Sequence, residues 1–219
     1  MKLFKNREEA GNLIGKYLNK YLEDKEDAII LAIPRGGVPV AYYVAKETGI
    51  PFYFVISSKI TSPSDPELAL GAVDIEGNYV ISDFARRIYN QEQLEIFKKM
   101  ALEKNKEKAK KYGFKDIDLK DKIAIIVDDG VATGYTAIVS SLYAKKKGAK
   151  KVILAVPVCP SDAIYRLKDY FNDIICLERI DSPYFAVGMY YEDFHQVEDE
   201  EFFDYIEKAK KEKIFLEKE

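Results

Sequence analysis

Apolar residues recur with helical spacing in two parts of the chain and form short uninterrupted runs in others. Residues 10–22 place apolar side chains at i, i+3, i+4, i+7 and i+8, and residues 91–112 carry a similar stripe, so both predict amphipathic helices. The runs 28–33 and 123–127 are too short for buried helices and are rich in β-branched residues. They predict strands that are covered on both faces of a sheet.

The rest of the pattern alternates predicted strands with predicted helices. Such alternation is typical of a parallel sheet with helices on both faces, so we predict an α/β fold. The chain has 219 residues and shows no repeat or linker, which favours a single domain over residues 1–219. Further strands are predicted at 52–56, 152–156 and 174–177, further helices at 39–48, 134–148, 161–169 and 198–219, and a hairpin at 71–82.

Two segments carry no regular pattern. Residues 57–70 include Pro63 and Pro66 and predict a long loop, which in compact domains is usually functional or disordered. Residues 180–197 are irregular and rich in aromatic side chains. The first segment is therefore a candidate functional loop.

Composition and charge narrow the class of protein. The formal net charge is −3, from 34 basic and 37 acidic residues, whereas a dedicated nucleic-acid binder is normally clearly basic. No apolar run approaches the ~20 residues that span a bilayer, and the first residues lack the apolar core of a signal peptide. We therefore expect a cytoplasmic protein that binds neither nucleic acid nor membrane.

The cysteines and the single histidine exclude several kinds of site. Cys159 and Cys176 each lie inside an apolar run, and we interpret them as buried thiols in a reducing compartment rather than as a disulfide or a zinc site. The one histidine, His195, leaves no two-histidine zinc site and only one possible base for a Ser-His or Cys-His pair. The motifs of the hydrolase elbow, the Walker loop and the dinucleotide-binding turn are absent from the sequence.

The strongest chemical signal follows the apolar run 123–127. Asp128 and Asp129 end this predicted strand, and in an open parallel sheet the carboxyl ends of the strands form the ligand crevice. The mostly small residues from Gly130 to Gly134 allow backbone amides to converge on an anion, and the N-terminus of the following helix adds positive potential. The carboxylates can bind the hydroxyl groups of a sugar, and the adjacent turn can bind a phosphate group. Together they indicate a sugar-phosphate site. The alternative is that both acids only cap a helix.

Residues 125–136, IIVDDGVATGYT, resemble the phosphoribosyl-pyrophosphate (PRPP) motif of type I phosphoribosyltransferases. In that motif a hydrophobic strand is followed by two acids, a small-residue loop with Thr-Gly and a helix. Residues 31–39 and 186–197 resemble a subgroup of this family whose members are assigned only by sequence, so the resemblance covers most of the chain. It implies a phosphoribosyltransferase-like α/β fold with a small hood built from about residues 1–25 and 178–219.

The resemblance also implies which residues bind PRPP. Asp128 and Asp129 would bind the ribose hydroxyl groups, directly or through Mg²⁺, which makes them the implied catalytic acids and metal ligands. Arg35, Gly36 and Gly37 would hold pyrophosphate in a loop that often contains a cis peptide in this family. The implied PRPP contacts after the acid pair are Gly130, Val131, Ala132, Thr133, Gly134, Tyr135 and Thr136, of which the last five would hold the 5-phosphate.

Lys59 falls in the segment where these enzymes carry a flexible loop over PRPP, and it is implied to reach the pyrophosphate as a catalytic cation. The aromatic residues Tyr184, Phe185 and Tyr191 fall in the implied hood and would bind the acceptor base. Judged from the residues alone, alternatives remain for each of these assignments. They are a solvated lysine, an ordinary strand-to-helix turn at 35–37, and a small satellite core of aromatic side chains.

The resemblance implies a Mg²⁺-dependent enzyme that moves the 5-phosphoribosyl group of PRPP to a nitrogenous base and releases pyrophosphate. The identity of the base does not follow from the sequence. The implied partners are PRPP, a small-molecule acceptor and a second copy of the chain in a homodimer. A non-catalytic regulator that binds PRPP or a nucleotide is the alternative within this fold. A phosphatase with Asp128 as nucleophile is disfavoured, because the usual signature separates its two acids by one residue.

Overall fold

A parallel sheet of five strands and an antiparallel sheet of three strands organise the protein. The computed structural model describes residues 1–217. The strands in chain order are β1 (Ala28–Ala32), β2 (Phe52–Phe54), β3 (Ser57–Ile60), β4 (Gly71–Asp74), β5 (Tyr79–Ile81), β6 (Ile123–Val127), β7 (Lys151–Pro160) and β8 (Asp173–Ile180).

The helices fall close to their predicted positions, with one addition. The 22-residue helix at 91–112 has the predicted bounds, whereas the short helix at 83–88 was not predicted. Its apolar content is too small for a periodic signal, and it begins at Ser82, whose side chain accepts a hydrogen bond from the Ala85 amide. The α-helices are α1 (Arg7–Tyr21), α2 (Gly37–Thr48), α3 (Asp83–Ile88), α4 (Gln91–Tyr112), α5 (Tyr135–Lys146), α6 (Ser161–Leu167) and α7 (Asp199–Lys211).

The order of the strands creates a switch point between β1 and β6. The parallel sheet runs β2–β1–β6–β7–β8, so the chain moves outward from β1 to β2 and then in the opposite direction from β6 to β8. Because such crossovers are right-handed, α2 lies on one face of the sheet and α5 and α6 on the other. The predicted α/β fold with helices on both faces is therefore confirmed. Ligands of such sheets bind at the carboxyl ends of the strands beside the switch point.

Burial explains why these strands are continuous apolar runs. Every residue of β1 and of β6 is buried, as expected for inner strands covered by helices on both faces. Strand β7 extends to Pro160, beyond its predicted end at residue 156. Pro157 interrupts the apolar pattern and has no N–H group, but the pairing with β8 resumes one residue later, at Val158.

The antiparallel sheet corrects the interpretation of the 57–70 segment. Its first four residues form β3, which pairs with β4, so the loop covers only residues 61–70. The hairpin expected at 71–82 is present as β4 and β5. The signal for β3 is weak because SSKI has little apolar character. This sheet packs against α4 and α5 on one side of the parallel sheet.

The chain after α7 departs from the prediction. Helix α7 ends at Lys211 rather than continuing to residue 219, and Lys213 has a positive φ of 60°. Residues 214–216 then pair with the outer side of β2, where the Phe52 amide donates to the Ile214 carbonyl and the Leu216 amide to the Phe52 carbonyl. The last two residues of the predicted helix, 218 and 219, lie outside the described residues.

The N-terminal segment pairs with the irregular aromatic segment. The Phe4 backbone forms a parallel bridge with Tyr191, and the Glu192 amide donates to the Phe4 carbonyl at 2.8 Å. The single-domain and hood boundaries stay predictions, but this pairing brings parts of both hood segments into contact.

The two cysteines lie on adjacent strands. Cys159 of β7 is buried as predicted, whereas Cys176 of β8 is partly exposed, and both are free thiols with their Sγ atoms 2.7 Å apart.

The sequence predicts no segment that spans a membrane, and the helices of the structure can be compared with that prediction. Among residues 1–217 there is no helix with the length and apolar content required to span a bilayer.

A buried asparagine fixes α4 to the antiparallel sheet and yields a stability prediction. The Asn105 side chain has no exposed surface, donates to the carbonyl oxygens of Val73 and Asp74, and accepts from Ser58 Oγ. Asn105→Leu leaves buried polar groups without partners, so we expect the free energy of unfolding to fall by about 2–4 kcal/mol in urea denaturation.

The matched control for this prediction is Asn19→Leu. That change removes two hydrogen bonds near the surface, one that Asn19 donates to the Glu47 carbonyl oxygen and one that it accepts from Lys25 Nζ, and it leaves no buried polar group without a partner. We expect a loss of about 1 kcal/mol or less. Equal losses for the two variants would contradict the role given to Asn105.

Candidate functional site

Two loops meet at the switch point between β1 and β6. The first loop, 33–36, joins β1 to α2 and contains a cis peptide between Pro34 and Arg35. The second loop, 128–134, joins β6 to α5. A Cβ atom added at Gly36 would overlap Asp129 Oδ2, and one at Gly37 would lie 2.9 Å from the Val127 carbonyl oxygen. The two glycines are therefore what allows the loops to approach this closely.

Asp128 faces a cavity of about 340 Å³. Its Oδ1 accepts a hydrogen bond from the Asp129 amide at 2.8 Å. Lys59 and the turn from Gly130 to Gly134 line the same cavity, and Thr136 adds a hydroxyl group. Carboxylate, ammonium, hydroxyl and backbone amide groups thus surround one space, which can accommodate a polar, negatively charged ligand.

Asp129 points away from that cavity toward α1. Its Oδ2 forms an ion pair of 3.1 Å with Nε of Arg7, whose side chain is only 8% exposed. The same guanidinium donates to the His195 carbonyl oxygen at 2.8 Å and lies 4.3 Å from the ring centre of Phe194. The hydroxyl group of Tyr191 donates to the Asp129 carbonyl oxygen at 2.6 Å. Asp129 is therefore fixed by contacts from Arg7, near the N-terminus, and from Tyr191, after β8.

Burial sets the protonation of the acid pair. It raises the pKa of Asp128 well above the ordinary aspartate value, and the adjacent Asp129 charge raises it further. Burial also raises the pKa of Asp129, but the Arg7 guanidinium opposes that rise. Asp129 is consequently the better ionised of the two acids.

The turn before α5 offers unsatisfied backbone donors. Gly134 has a φ of 89°, in the region that favours glycine, and it gives α5 no side-chain cap. The first amides of a helix have no intrahelical acceptor, so those of Tyr135 and Thr136 are available to an anion, whereas the Ile138 amide already donates to the Gly134 carbonyl oxygen. The helix dipole adds positive potential. Ala132 and Thr133 are exposed at the cavity.

Lys59, in β3, also lines this cavity. Its side chain is exposed, and it forms no ion pair with an acid in the part of the chain that the structure describes. Glu67, Leu68 and Ala69 of the 61–70 loop line the same cavity. The structure thus brings the predicted lysine and loop to the cavity that contains Asp128.

Comparison with known proteins assigns the family. The phosphoribosyl transferase domain family matches residues 3–193. The chain belongs to the phosphoribosyltransferase family. Two Mycobacterium tuberculosis proteins, provisionally named phosphoribosyl transferases, are each 36% identical over 214 residues. These matches cover 95% of this chain and 47% of each relative, so the chain spans about half the length of the curated relatives it matches.

Solved structures share this fold. The crystal structure of TT1426 from Thermus thermophilus is 33% identical in sequence with a TM-score of 0.75, and the match covers 94% of this chain and 98% of that one. The AQ2163 protein from Aquifex aeolicus is 14% identical with a TM-score of 0.50, covering 77% of this chain and 71% of its own, and shows the fold alone. The family model and the curated relatives confirm the family resemblance expected from the sequence.

The predicted acceptor residues of this phosphoribosyltransferase domain separate into two groups. Phe185 lines a second cavity of about 580 Å³, which also contains Ala132 and Thr133. Tyr184 is 79% exposed beside it. Tyr191 is only 1% exposed and packs in a satellite core, so it presents no face to a base, and its assignment as an acceptor residue is corrected.

Two residues that contribute to the site, Arg7 and Glu67, belong to no sequence motif. Arg7 begins the first helix and looks like an ordinary surface cation in sequence, because its burial depends on residues more than 100 positions away. Glu67 is one of two acids in the 61–70 loop, and only the fold places it at the cavity. No group of three or more histidine, cysteine or acidic side chains within residues 1–217 forms a metal-binding cluster.

The buried Arg7–Asp129 pair gives a second stability prediction. Arg7→Met leaves the Asp129 carboxylate unpaired, so we expect the free energy of unfolding to fall by about 3–5 kcal/mol in urea at neutral pH. Adding Asp129→Asn removes the unpaired charge and recovers part of this loss.

The control is the exposed Lys106–Glu103 pair, where Lys106→Met is expected to cost less than about 1 kcal/mol. If the effects of Arg7→Met and Asp129→Asn were simply additive, the coupling described here would be disproved.

His195 gives a pH prediction. Its ring nitrogens contact Asp193 at 2.9 Å and Glu201 at 2.8 Å, and these bonds raise the pKa of His195 above 6.5. Since the raised pKa belongs to the folded state, the stabilisation is complete below about pH 6.5 and is lost as the pH rises through the folded-state pKa. Urea denaturation from pH 6 to 8 should show a small fall that is absent in His195→Gln. An unchanged slope in that variant would contradict the assignment.

Proposed function

We propose that this protein transfers the 5-phosphoribosyl group of PRPP to a nitrogenous acceptor and releases pyrophosphate. The observation that carries the proposal is the cavity at the switch point, where Asp128, Lys59 and the amide-rich turn before α5 face one space. Membership of the phosphoribosyltransferase family supports the same chemistry.

Each part of the cavity would hold a different part of PRPP. The free amides of the turn and the hydroxyl groups of Thr133 and Thr136 would bind the 5-phosphate, because they converge at a helix N-terminus. The Asp128 carboxylate would accept hydrogen bonds from the ribose hydroxyl groups. Lys59 and the loop 35–37 would bind pyrophosphate, where a guanidinium and an ammonium stabilise the leaving charge.

The chemistry at the ribose requires positioning rather than a protein nucleophile. As the bond to pyrophosphate breaks, the ribose ring gains positive charge, and the nearby Asp128 carboxylate would stabilise that charge. The acceptor would approach from the 580 Å³ cavity beside Phe185, which shares Ala132 and Thr133 with the PRPP cavity. The 61–70 loop would exclude water that competes with the acceptor.

The donor set fits Mg²⁺ at Asp128. Magnesium is usually held by one or two carboxylates together with water and substrate phosphates, and Asp128 presents such a carboxylate to the cavity. Asp129 fits this role less well because its carboxylate is paired with Arg7. When bound, Mg²⁺ would neutralise charge on the pyrophosphate.

A non-catalytic PRPP- or nucleotide-binding regulator remains the second candidate. The Arg7–Asp129 ion pair favours it, because only one acid is then directly available to the ribose. The two candidates differ in turnover, since the regulator binds PRPP without releasing pyrophosphate. The homodimer and the identity of the acceptor stay predictions.

Pyrophosphate release tests the proposal. We expect release when PRPP, Mg²⁺ and a panel of nitrogenous bases are supplied, and we expect Asp128→Asn to lower kcat/KM for PRPP about 10- to 100-fold, because a charge-assisted bond to the ribose is lost. A coupled assay measures pyrophosphate release and kcat/KM, and calorimetric titration measures the binding of PRPP.

Asp169→Asn is the matched control, because Asp169 is an exposed acid in the turn after α6. We expect it to behave like the unmodified protein. PRPP binding without pyrophosphate release across the panel would favour the regulator, and absence of PRPP binding would reject both candidates. Turnover that releases inorganic phosphate and stops in Asp128→Asn would indicate a phosphatase instead.

A further inference from the structure

The last turns of α4 carry cations beside the candidate site. Lys108 and Lys111 are spaced i and i+3, so they are neighbours on one face of this helix. Nζ of Lys108 donates to the Ser57 carbonyl oxygen and to Ser58 Oγ, each at 2.8 Å. These two acceptors immediately precede Lys59 in β3. Helix α4 therefore places the Lys108 ammonium beside the strand that supplies Lys59 to the cavity.

The same end of α4 reaches the loop after β1 through Asp199, the first residue of α7. Lys111 forms an ion pair with Asp199, and the Tyr112 hydroxyl group donates to Asp199 Oδ1 at 2.9 Å. Nη1 of Arg35 lies 3.3 Å from the same oxygen. The end of α4 thus lies between the two positions, Arg35 and Lys59, at which pyrophosphate is proposed to bind.

Positive charge exceeds negative charge along this wall. Arg35 and Lys111 share one carboxylate, that of Asp199, whereas Lys59 and Lys108 have no carboxylate within 4 Å in the region that the structure covers. Burial, together with neighbouring cations that include Arg35 and Lys59, lowers the pKa of Lys108 to about 8. Cations gathered in this way repel one another, and a bound polyanion would relieve that repulsion.

The attachment of α4 to the antiparallel sheet does not by itself require the positive charge of Lys108. Asn105, one turn earlier, already fixes α4 to β4 and to Ser58 with three buried hydrogen bonds. The Ser57 carbonyl oxygen and Ser58 Oγ, which accept from Lys108, are neutral groups that a neutral donor could also serve. A partly buried ammonium among other cations costs more than a neutral donor, so its charge calls for a ligand that offsets the cost.

We infer that Lys108 binds the pyrophosphate group of PRPP together with Arg35 and Lys59, and that Asp199 is the carboxylate that pyrophosphate displaces from Arg35. This inference rests on the proposed function, because it names a further residue for the same site. Pyrophosphate carries more charge and more acceptor oxygens than one carboxylate, so it can engage all three cations at once.

Calorimetric titration with two ligands tests the inference. Lys108→Gln keeps a donor for Ser57 but removes the charge, so we expect affinity for inorganic pyrophosphate with Mg²⁺ to fall about 10- to 100-fold. Affinity for ribose 5-phosphate should change less than about twofold, since that ligand lacks the pyrophosphate group. Lys108→Arg should restore pyrophosphate binding. Asp199→Asn should tighten pyrophosphate binding, because Arg35 loses its competing carboxylate.

The matched control is Lys106→Gln, an equal change of charge at an exposed position two residues earlier on α4. We expect both affinities to match those of the unmodified protein. Equal weakening of both ligands by Lys108→Gln, or no weakening of either, would overturn the role of Lys108. Weaker pyrophosphate binding in Asp199→Asn would overturn the displacement. If the unmodified protein bound neither pyrophosphate nor PRPP, the proposed function itself would fail.

Chemical labelling of the unmodified protein gives a second measurement that does not depend on the folding of a variant. Pyrophosphate should protect Lys108 from acetylation by an amine-reactive reagent, while Lys106 is modified at the same rate with and without it. Peptide mass spectrometry reads both sites in one sample. Equal labelling of Lys108 in the presence and absence of saturating pyrophosphate would contradict the inference.

Discussion

The close approach of the Gly36–Gly37 backbone to the acid pair is the constraint on which the site depends. A side chain at either glycine would displace Asp129 or the end of β6. Because β1 and β6 are neighbours in the sheet, the loops that follow them emerge side by side at the switch point. The sheet order brings the loops together, and the two glycines then set the distance between them.

Burying two adjacent carboxylates is costly, and the protein offsets this cost from outside the sheet. Arg7 of α1 pairs with Asp129, and Arg7 is itself held by the backbone of His195 and the ring of Phe194. The segments before β1 and after β8 therefore determine where the second acid points. Asp128 remains the acid that faces the cavity, so residues distant in sequence divide the pair into two environments.

Local pattern predicted most of the sheet and its helices but not the charges around the site. The apolar runs 28–33 and 123–127 were correctly predicted to contain strands, because inner strands of the sheet must be apolar on both faces. Strand β3 carries SSKI, whose partners come from β4 and α4, so its pattern alone resembles a loop. The sequence does not identify Arg7 or Lys108 as site residues, because the burial and the partners of a cation depend on the fold and not on its neighbours in sequence.

The pairing of residues 214–216 with β2 also affects how copies of the chain meet one another. Strand β2 is one of the two edge strands of the parallel sheet, and an open strand edge offers unpaired amides and carbonyls to any other extended chain. The segment after α7 forms hydrogen bonds with the Phe52 backbone on that edge, and the ring centre of Phe215 lies 5.3 Å from that of Phe52. Removing this segment would uncover a template for intermolecular β-sheet growth, so its cover acts as a safeguard against aggregation.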